Sequence, residues 1–492
     1  MYHQPSKRTQ IIRRTLSYSL MILAILSLVT ILGFIIMGYQ FNRKDGKIEQ
    51  GGLVQFGSQP GGAAISIDGT AFGSRTNTKT TLASGNHSIT MNLDGYHQWS
   101  KAVSVQPGSV LWLNYARLIP KSLPVERVAT FAALGTSAAS PDQKWVVATT
   151  DPSLPELELA DISQQQVAPP VKLTLPATLY TAPAAGKTQQ FSVVEWDKDS
   201  RYVLVKHTVE GMDQTEWLVV DTQSLASSKN ITSLVSLPMS QVHFSPASSQ
   251  AVYAQIGADV RKIELGDGTI SRPLASNIED FRLYRDNGII FTTLPDATTH
   301  QRSVGYAVDN EQAPHILASV TDDGKAPYRL AIGEYFGDTY VAILNGQTLT
   351  VRMGNLPKTS ADYEAMRPIT TQHLTAPATR LSIVTNGRFV VAEAPDRYMV
   401  YDLELRKATT TELKGAVPAT VTPLAWLDGY MPWSDNGGML RVYEFDGANQ
   451  HDIMTVTPGQ AVTLARGGAY LYAFGKTPDD HYALQRVRMI LQ

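Results

Sequence analysis

The chain has 492 residues, no cysteine, 42 basic against 44 acidic side chains and a formal charge of −2. This length predicts two or more domains unless one large β architecture takes up most of it, and the missing cysteine excludes disulfide scaffolds, thiolate metal sites and thiol nucleophiles. Lys7, Arg8, Arg13 and Arg14 stand at the start with no acid among them, which leaves 38 basic against 44 acidic groups in the rest and argues against a nucleic-acid partner.

Residues 15–42 carry no charged side chain and no histidine. As an α-helix at about 1.5 Å per residue this stretch exceeds the roughly 30 Å hydrocarbon core of a bilayer. Tyr18 and Tyr39 stand near its ends, where amphipathic rings prefer the headgroup layer. A cleaved signal peptide would have a shorter apolar region ending in small side chains, whereas this one ends Ile36-Met37-Gly38-Tyr39-Gln40. The pattern predicts a cytoplasmic tail over 1–15, a transmembrane helix over 16–41 and a linker over 42–53. Four basic residues precede the helix against Arg43, Lys44 and Lys47 after it, and no second apolar span follows. The N-terminus is expected inside the cell membrane and the bulk of the chain outside.

Period-two patterning then predicts a small β-domain over 54–119. Ala64-Ile65-Ser66-Ile67 alternates and meets Asp68-Gly69, a turn pair that tolerates positive φ. His87 to Leu93 alternates and meets Asp94-Gly95-Tyr96; Ala102 to Val105 runs into Pro107-Gly108, and Val110 to Leu113 forms a last strand. Short strands with a turn every ten or so residues read as a β-sandwich. Pro60-Gly61-Gly62-Ala63, Ile65 to Gly69, Gly73, Gly85 with His87, Gly95-Tyr96 and Val103 with Val105 together resemble the PEGA domain of envelope-associated proteins. Two positions depart from it: Gly61 replaces the glutamate of the name-giving motif, and Asn77 follows Thr76 where proline is common. His87 has no partner at metal spacing and is read as structural.

From about 120 to 492 one motif recurs, a polar turn followed by a hydrophobic strand. Clear copies are Ser140-Pro141-Asp142-Gln143-Lys144-Trp145 and Trp196-Asp197-Lys198-Asp199-Ser200-Arg201-Tyr202; weaker ones include Phe336-Gly337-Asp338, Thr385-Asn386-Gly387 and Trp426-Leu427-Asp428-Gly429-Tyr430. Eight copies recur at intervals of 39 to 57 residues with a mean near 46, the period of a four-stranded propeller blade. The second copy predicts strands near 192–195, 202–206 and 217–220 and an edge strand near 229–232. The last copy lacks one outer strand, which 125–130 could supply and so close the ring. The Ser-Pro-Asp and Trp-x-x-Asp turns resemble those of TolB-type and WD40-like propellers. The expected fold is therefore all-β: one transmembrane helix, a PEGA-like β-sandwich and a β-propeller, eight blades favoured over seven.

Catalytic signatures are missing. The chain has no Gly-x-Ser-x-Gly elbow, no His-Glu-x-x-His and no phosphate-cradling Gly-x-x-x-x-Gly-Lys loop, so no catalytic residue, metal or cofactor is assigned. Asp322-Asp323-Gly324 and Asp479-Asp480-His481 read as solvated turns, although their oxygens could in principle hold a hard cation. The binding candidates are Trp426, Asp428, Tyr430 and Trp433, an aromatic and acidic loop suited to a sugar or peptide; the structural alternative packs both tryptophans between blades. The expected role is a membrane-anchored binding or scaffolding component of the cell envelope with a protein or wall-glycan partner. The alternative is an envelope hydrolase acting on glycan or peptide from the propeller face.

Overall fold

A computed structural model describes residues 7–36, 39–42, 47–212, 214–321, 326–418 and 423–491. The chain divides into two compact units, one ending at Ser122 and one running Leu123–Leu491.

The first unit begins with α1 (Lys7–Ile36), whose segment Gln10–Phe34 is long and apolar enough to cross a membrane. The helix starts nine residues before the expected boundary at 16. The Thr15 and Ser17 hydroxyls donate back to the carbonyls of Ile11 and Arg13, at 3.0 and 2.8 Å, the back-bonding open to hydroxyls inside a helix. The expected linker over 42–53 is also partly structured. Tyr39–Asn42 pairs with Lys47–Gln50 as a hairpin, and Gly52–Gln59 is the central strand of a three-stranded sheet.

In that sheet Gly52–Gln59 runs antiparallel to Thr78–Leu82 and parallel to Val110–Arg117. A second sheet has the order Thr70–Arg75, Ala64–Ile67, Gly85–Asn92, Trp99–Val105. Val54, Phe56, Ile65, Ile89, Met91, Trp99 and Leu113 are buried, the inward half of each alternation. Asp68 and Gly69 both take positive φ, 51° and 78°, as the two-residue hairpin requires. His87 is a fixed structural group: Nδ1 lies 2.7 Å from Asp68 Oδ2 and Nε2 lies 2.9 Å from the Ala83 carbonyl. Burial opposes its charge, but the two acceptors outweigh burial and raise its pKa above the ordinary 6.5. A raised histidine pKa contributes stability that is full below the unfolded value and is lost as pH rises through the folded one. We expect His87 in the intact protein to titrate above 6.5 by histidine NMR, and Asp68→Asn to bring the titration down; an unchanged titration would exclude the Asp68 contact as its cause.

The second unit contains eight sheets among the described residues, here numbered in chain order: sheet 1 (137–174), sheet 2 (189–230), sheet 3 (241–264), sheet 4 (278–321), sheet 5 (328–373), sheet 6 (380–412), sheet 7 (425–455) and sheet 8 (462–488 with 126–131). All are antiparallel and seven have four strands. Sheet 3 has three: after Glu264 the chain makes only isolated bridges, at Ile270 and Ala275, and Pro273 between them has no N–H to give a ladder. The edge strand expected over 229–232 is confined to Lys229–Asn230. Ile231–Val235 is helical instead, because the Asn230 side chain accepts from Ser233 N and caps a helix start.

Neighbouring sheets pack face to face in chain order. Val147 and Leu159 meet Phe191 and Val205; Leu204 and Trp217 meet Val242 and Val252; Tyr253 and Val260 meet Phe281 and Ile289. Tyr284 and Val304 meet Leu330 and Val341, and Ala342 and Val351 meet Leu381 and Val390. Phe389 stacks on Phe445 between sheets 6 and 7, and Thr457 N after sheet 7 donates to Phe474 O in sheet 8 at 2.8 Å. Sheet 8 then packs Tyr472 and Phe474 against Val146 and Ala160 of sheet 1. The outer strand of sheet 8 is Glu126–Phe131, which pairs with Tyr482–Arg488 from Glu126↔Arg486 to Phe131↔Tyr482. The first strand of the unit thus completes its last sheet.

Sheets 1, 2 and 6 are held at their turns by aspartate side chains. The buried Asp197 carboxylate accepts from the backbone N–H of Arg201 and Tyr202 and closes the first turn of sheet 2. A second recurring device lies where the third strand ends. Asp161, Asp221 and Asp402 each accept from the backbone N–H two residues on, at 2.9, 3.0 and 2.9 Å, the Asx turn that aspartate favours.

Candidate functional site

The turn between the first two strands of sheet 5 carries an exposed aromatic side chain. Tyr335 pairs with Asp338, so Phe336 and Gly337 form a two-residue hairpin with φ of 49° and 85°. Glycine meets that demand freely, but positive φ in a phenylalanine is strained. Phe336 is nonetheless 80% exposed. Leu405, on a turn of sheet 6, is also exposed.

Phe336 is held from below. Its ring packs 4.5 Å from that of Tyr335, and the Tyr335 hydroxyl donates to Glu404 Oε2 at 2.7 Å. Burial, then the Glu404 carboxylate, push the Tyr335 phenol far above its usual range, which keeps it a donor. Glu404 also lies 2.6 Å from Arg388 Nη1. Arg388 donates two parallel bonds to Asp402, Nε to Oδ1 at 3.0 Å and Nη2 to Oδ2 at 2.6 Å. Only 3% of the Arg388 side chain and 4% of that of Asp402 is exposed. The guanidinium lies over the rings of Phe389 and Phe445, 5.2 and 5.7 Å from their centroids. Gly387 belongs here because a Cβ at that position would collide with the Glu334 carbonyl of sheet 5.

Three of the four residues expected from sequence join this network. Trp426 stacks near-parallel on Phe389 at 6.1 Å, and Tyr430 meets the same ring edge-on at 5.8 Å. Asp428 accepts from Tyr430 N and Met431 N, so its carboxylate shapes the loop. Asn386 Nδ2 donates to Gly429 O at 2.7 Å and ties that loop to the turn of sheet 6. Trp433 is not brought to this group: past the hairpin turn, it is 8% exposed and lines a separate cavity between sheets 6 and 7. The exposed member, Phe336, is missing from the sequence-based candidates, and only the strained Phe-Gly pair between two strands could have singled it out.

The acidic turn Asp479-Asp480-His481 is internally paired, Asp480 with Lys476 and Asp479 with His481. Asp322-Asp323-Gly324 lies outside the described residues. Among the described residues no three histidine or acidic side chains cluster as a metal site.

Residues 52–118 match the PEGA domain family model. No curated protein matches the chain. Among solved structures, the crystal structure of Saccharomyces cerevisiae Sqt1 aligns with a TM-score of 0.44 and 12% sequence identity, covering 74% of this chain and 98% of that one.

Proposed function

We propose that this chain is a single-pass membrane protein that holds a PEGA-like module and a closed eight-bladed β-propeller outside the cell membrane, where it docks a protein partner of the cell envelope. The apolar helix, the basic residues before it and the PEGA match over 52–118 support the location. The pairing of Glu126–Phe131 with Tyr482–Arg488 and the packing of each sheet on the next support the ring.

One observation carries the binding reading. Phe336 combines about 1–3 kcal/mol of backbone strain with a large apolar surface left in water. Folding gains nothing from either, whereas a partner with a matching pocket would gain an anchor of the kind found at interface centres. The supporting frame of Tyr335, Glu404 and Arg388 presents that anchor in one place, which lowers the entropy lost on binding.

Crosslinking from position 336 tests this reading in native membranes. A Phe336→Cys variant of the otherwise cysteine-free chain, loaded with a benzophenone maleimide, should give one discrete protein adduct on illumination. The same label at exposed Asp338 should give less of it. A smear of unrelated adducts, or equal yield from both positions, would exclude Phe336 as the docking anchor.

A further inference from the structure

In the first unit, Val110–Arg117 is an edge strand. One side pairs in parallel with Gly52–Gln59, and among the described residues no strand pairs with the other. Leu53 N donates to Ser109 O at 2.8 Å, and a ladder engages only every second residue of a strand. The register therefore turns the N–H and C=O groups of Leu111 and Leu113 towards Gly52–Gln59 and those of Val110, Trp112 and Asn114 outward. The same alternation buries the Leu111 and Leu113 side chains and leaves those of Val110, Trp112 and Asn114 exposed.

Open edges are normally guarded by a charge or a proline. The other three edges of these two sheets follow the rule: Lys79 stands in Thr78–Leu82, Arg75 in Thr70–Arg75 and Lys101 in Trp99–Val105. From Val110 to Ala116 there is neither a charge nor a proline. The strand is also complementary to itself. Turned by a two-fold axis at Trp112 and laid against its own copy, it sets Trp112 opposite Trp112 and Val110 opposite Asn114, so no like charges meet. All three outward residues then form hydrogen-bonded pairs, with about six main-chain bonds across the seam. Lys101 of the second sheet is drawn over the rings of its own module, 6.0 and 5.2 Å from the centroids of Trp99 and Tyr115.

We propose that Val110–Arg117 pairs antiparallel with the same strand of a second copy of this chain, joining two three-stranded sheets into one continuous sheet. An edge contact of this length is small for two proteins that meet in solution. Here the proposal rests on the membrane reading above: α1 holds both copies in one plane, which raises their effective concentration. The contact is separate from partner docking at Phe336.

Cysteines placed in this cysteine-free chain test the pairing in native membranes under mild oxidation. Trp112→Cys should give mostly a disulfide-linked dimer, because the Cα atoms of a hydrogen-bonded pair lie about 5.5 Å apart. Asn114→Cys should give little, since its two copies are offset by roughly 14 Å along the strands. Val110→Cys combined with Asn114→Cys should restore the dimer. Adding Trp112→Lys to that combination sets two ammonium groups face to face and should cut the yield about fivefold. Equal crosslinking at 112 and 114, none at 112 in folded protein, or capture of a different membrane protein at 112 overturns the self-pairing. Fractionation of the same sample reports the anchor separately, and the crosslinks read the strand pairing whichever fraction holds the chain.

Discussion

Replacing Arg388 with alanine is expected to destabilise the second unit by about 3–5 kcal/mol, the cost of leaving buried carboxylates without their cation. That is a large part of the roughly 5–15 kcal/mol that holds a typical domain folded. Asp402 is 4% exposed and Glu404 19%, so water cannot take over the lost bonds. The backbone N–H groups of Glu404 and Leu405 still reach Asp402, at 2.9 and 3.1 Å, which places the loss towards the lower end of the range. Arg388→Lys should recover little, because one ammonium cannot reproduce the two-pronged bond to Asp402 while also meeting Glu404. Arg201 makes the equivalent pair with Asp221 in sheet 2, but its side chain is 41% exposed, and Arg201→Ala should cost clearly less. Denaturant unfolding of the three variants checks the order. Equal losses at 388 and 201 would show that burial of the pair is not what matters. Arg388→Ala should also weaken partner binding, since Tyr335 is held through Glu404.

The second large effect is expected from a covalent clasp between the first and last strands of sheet 8. Glu126 and Arg486 are directly opposite partners on the first and last strands, and Arg486 Nε donates to Glu126 Oε2 at 2.8 Å. Opposite residues on antiparallel strands have Cα atoms about 4.5–5.5 Å apart, within the span of a disulfide. With no native cysteine to compete, Glu126→Cys with Arg486→Cys should form one intramolecular bond on mild oxidation. It closes nearly the whole unit into one loop, and the chain-entropy model gives about 6 kcal/mol for so long a loop, less any strain and the ion pair removed. The midpoint of unfolding should rise when oxidised and fall back on reduction. Thiols that stay free in folded protein would show that the two ends do not meet, and with that the ring would fail.

Much of this architecture is readable from the chain because turn chemistry is local. Asp68-Gly69, Asp197 and Gly387 announce their turns through residues that act within a few positions. The outer strand of sheet 8 could be anticipated near 125–130 because the last repeat visibly lacks a partner. Gly52–Gln59 was hidden for the opposite reason. Gly52, Gln55, Gly57 and Ser58 look like a linker, and the strand is fixed by parallel pairing with Val110–Arg117 more than fifty residues away. Ile231–Val235 has β-branched residues suited to a strand, but Asn230 caps it into a helix. Apart from the glycine that follows it in a two-residue turn, Phe336 reads like a core aromatic, since exposure is decided by the neighbouring sheets. Trp433 sits four residues from the turn at Gly429, yet its strand carries it to the far side of that turn, where it lines a cavity together with Glu393 of the neighbouring sheet. No spacing rule links residues brought together that way.

The account stands or falls on an anchored ring lying outside the cell membrane. The most direct measurement is labelling of Phe336→Cys with a membrane-impermeant maleimide in intact spheroplasts. Phe336 is exposed and the chain has no other thiol, so any signal reports that one position. The prediction is full labelling before lysis, with the labelled chain remaining in the membrane pellet. Labelling that appears only after lysis, or a labelled chain released to the soluble fraction, would contradict it.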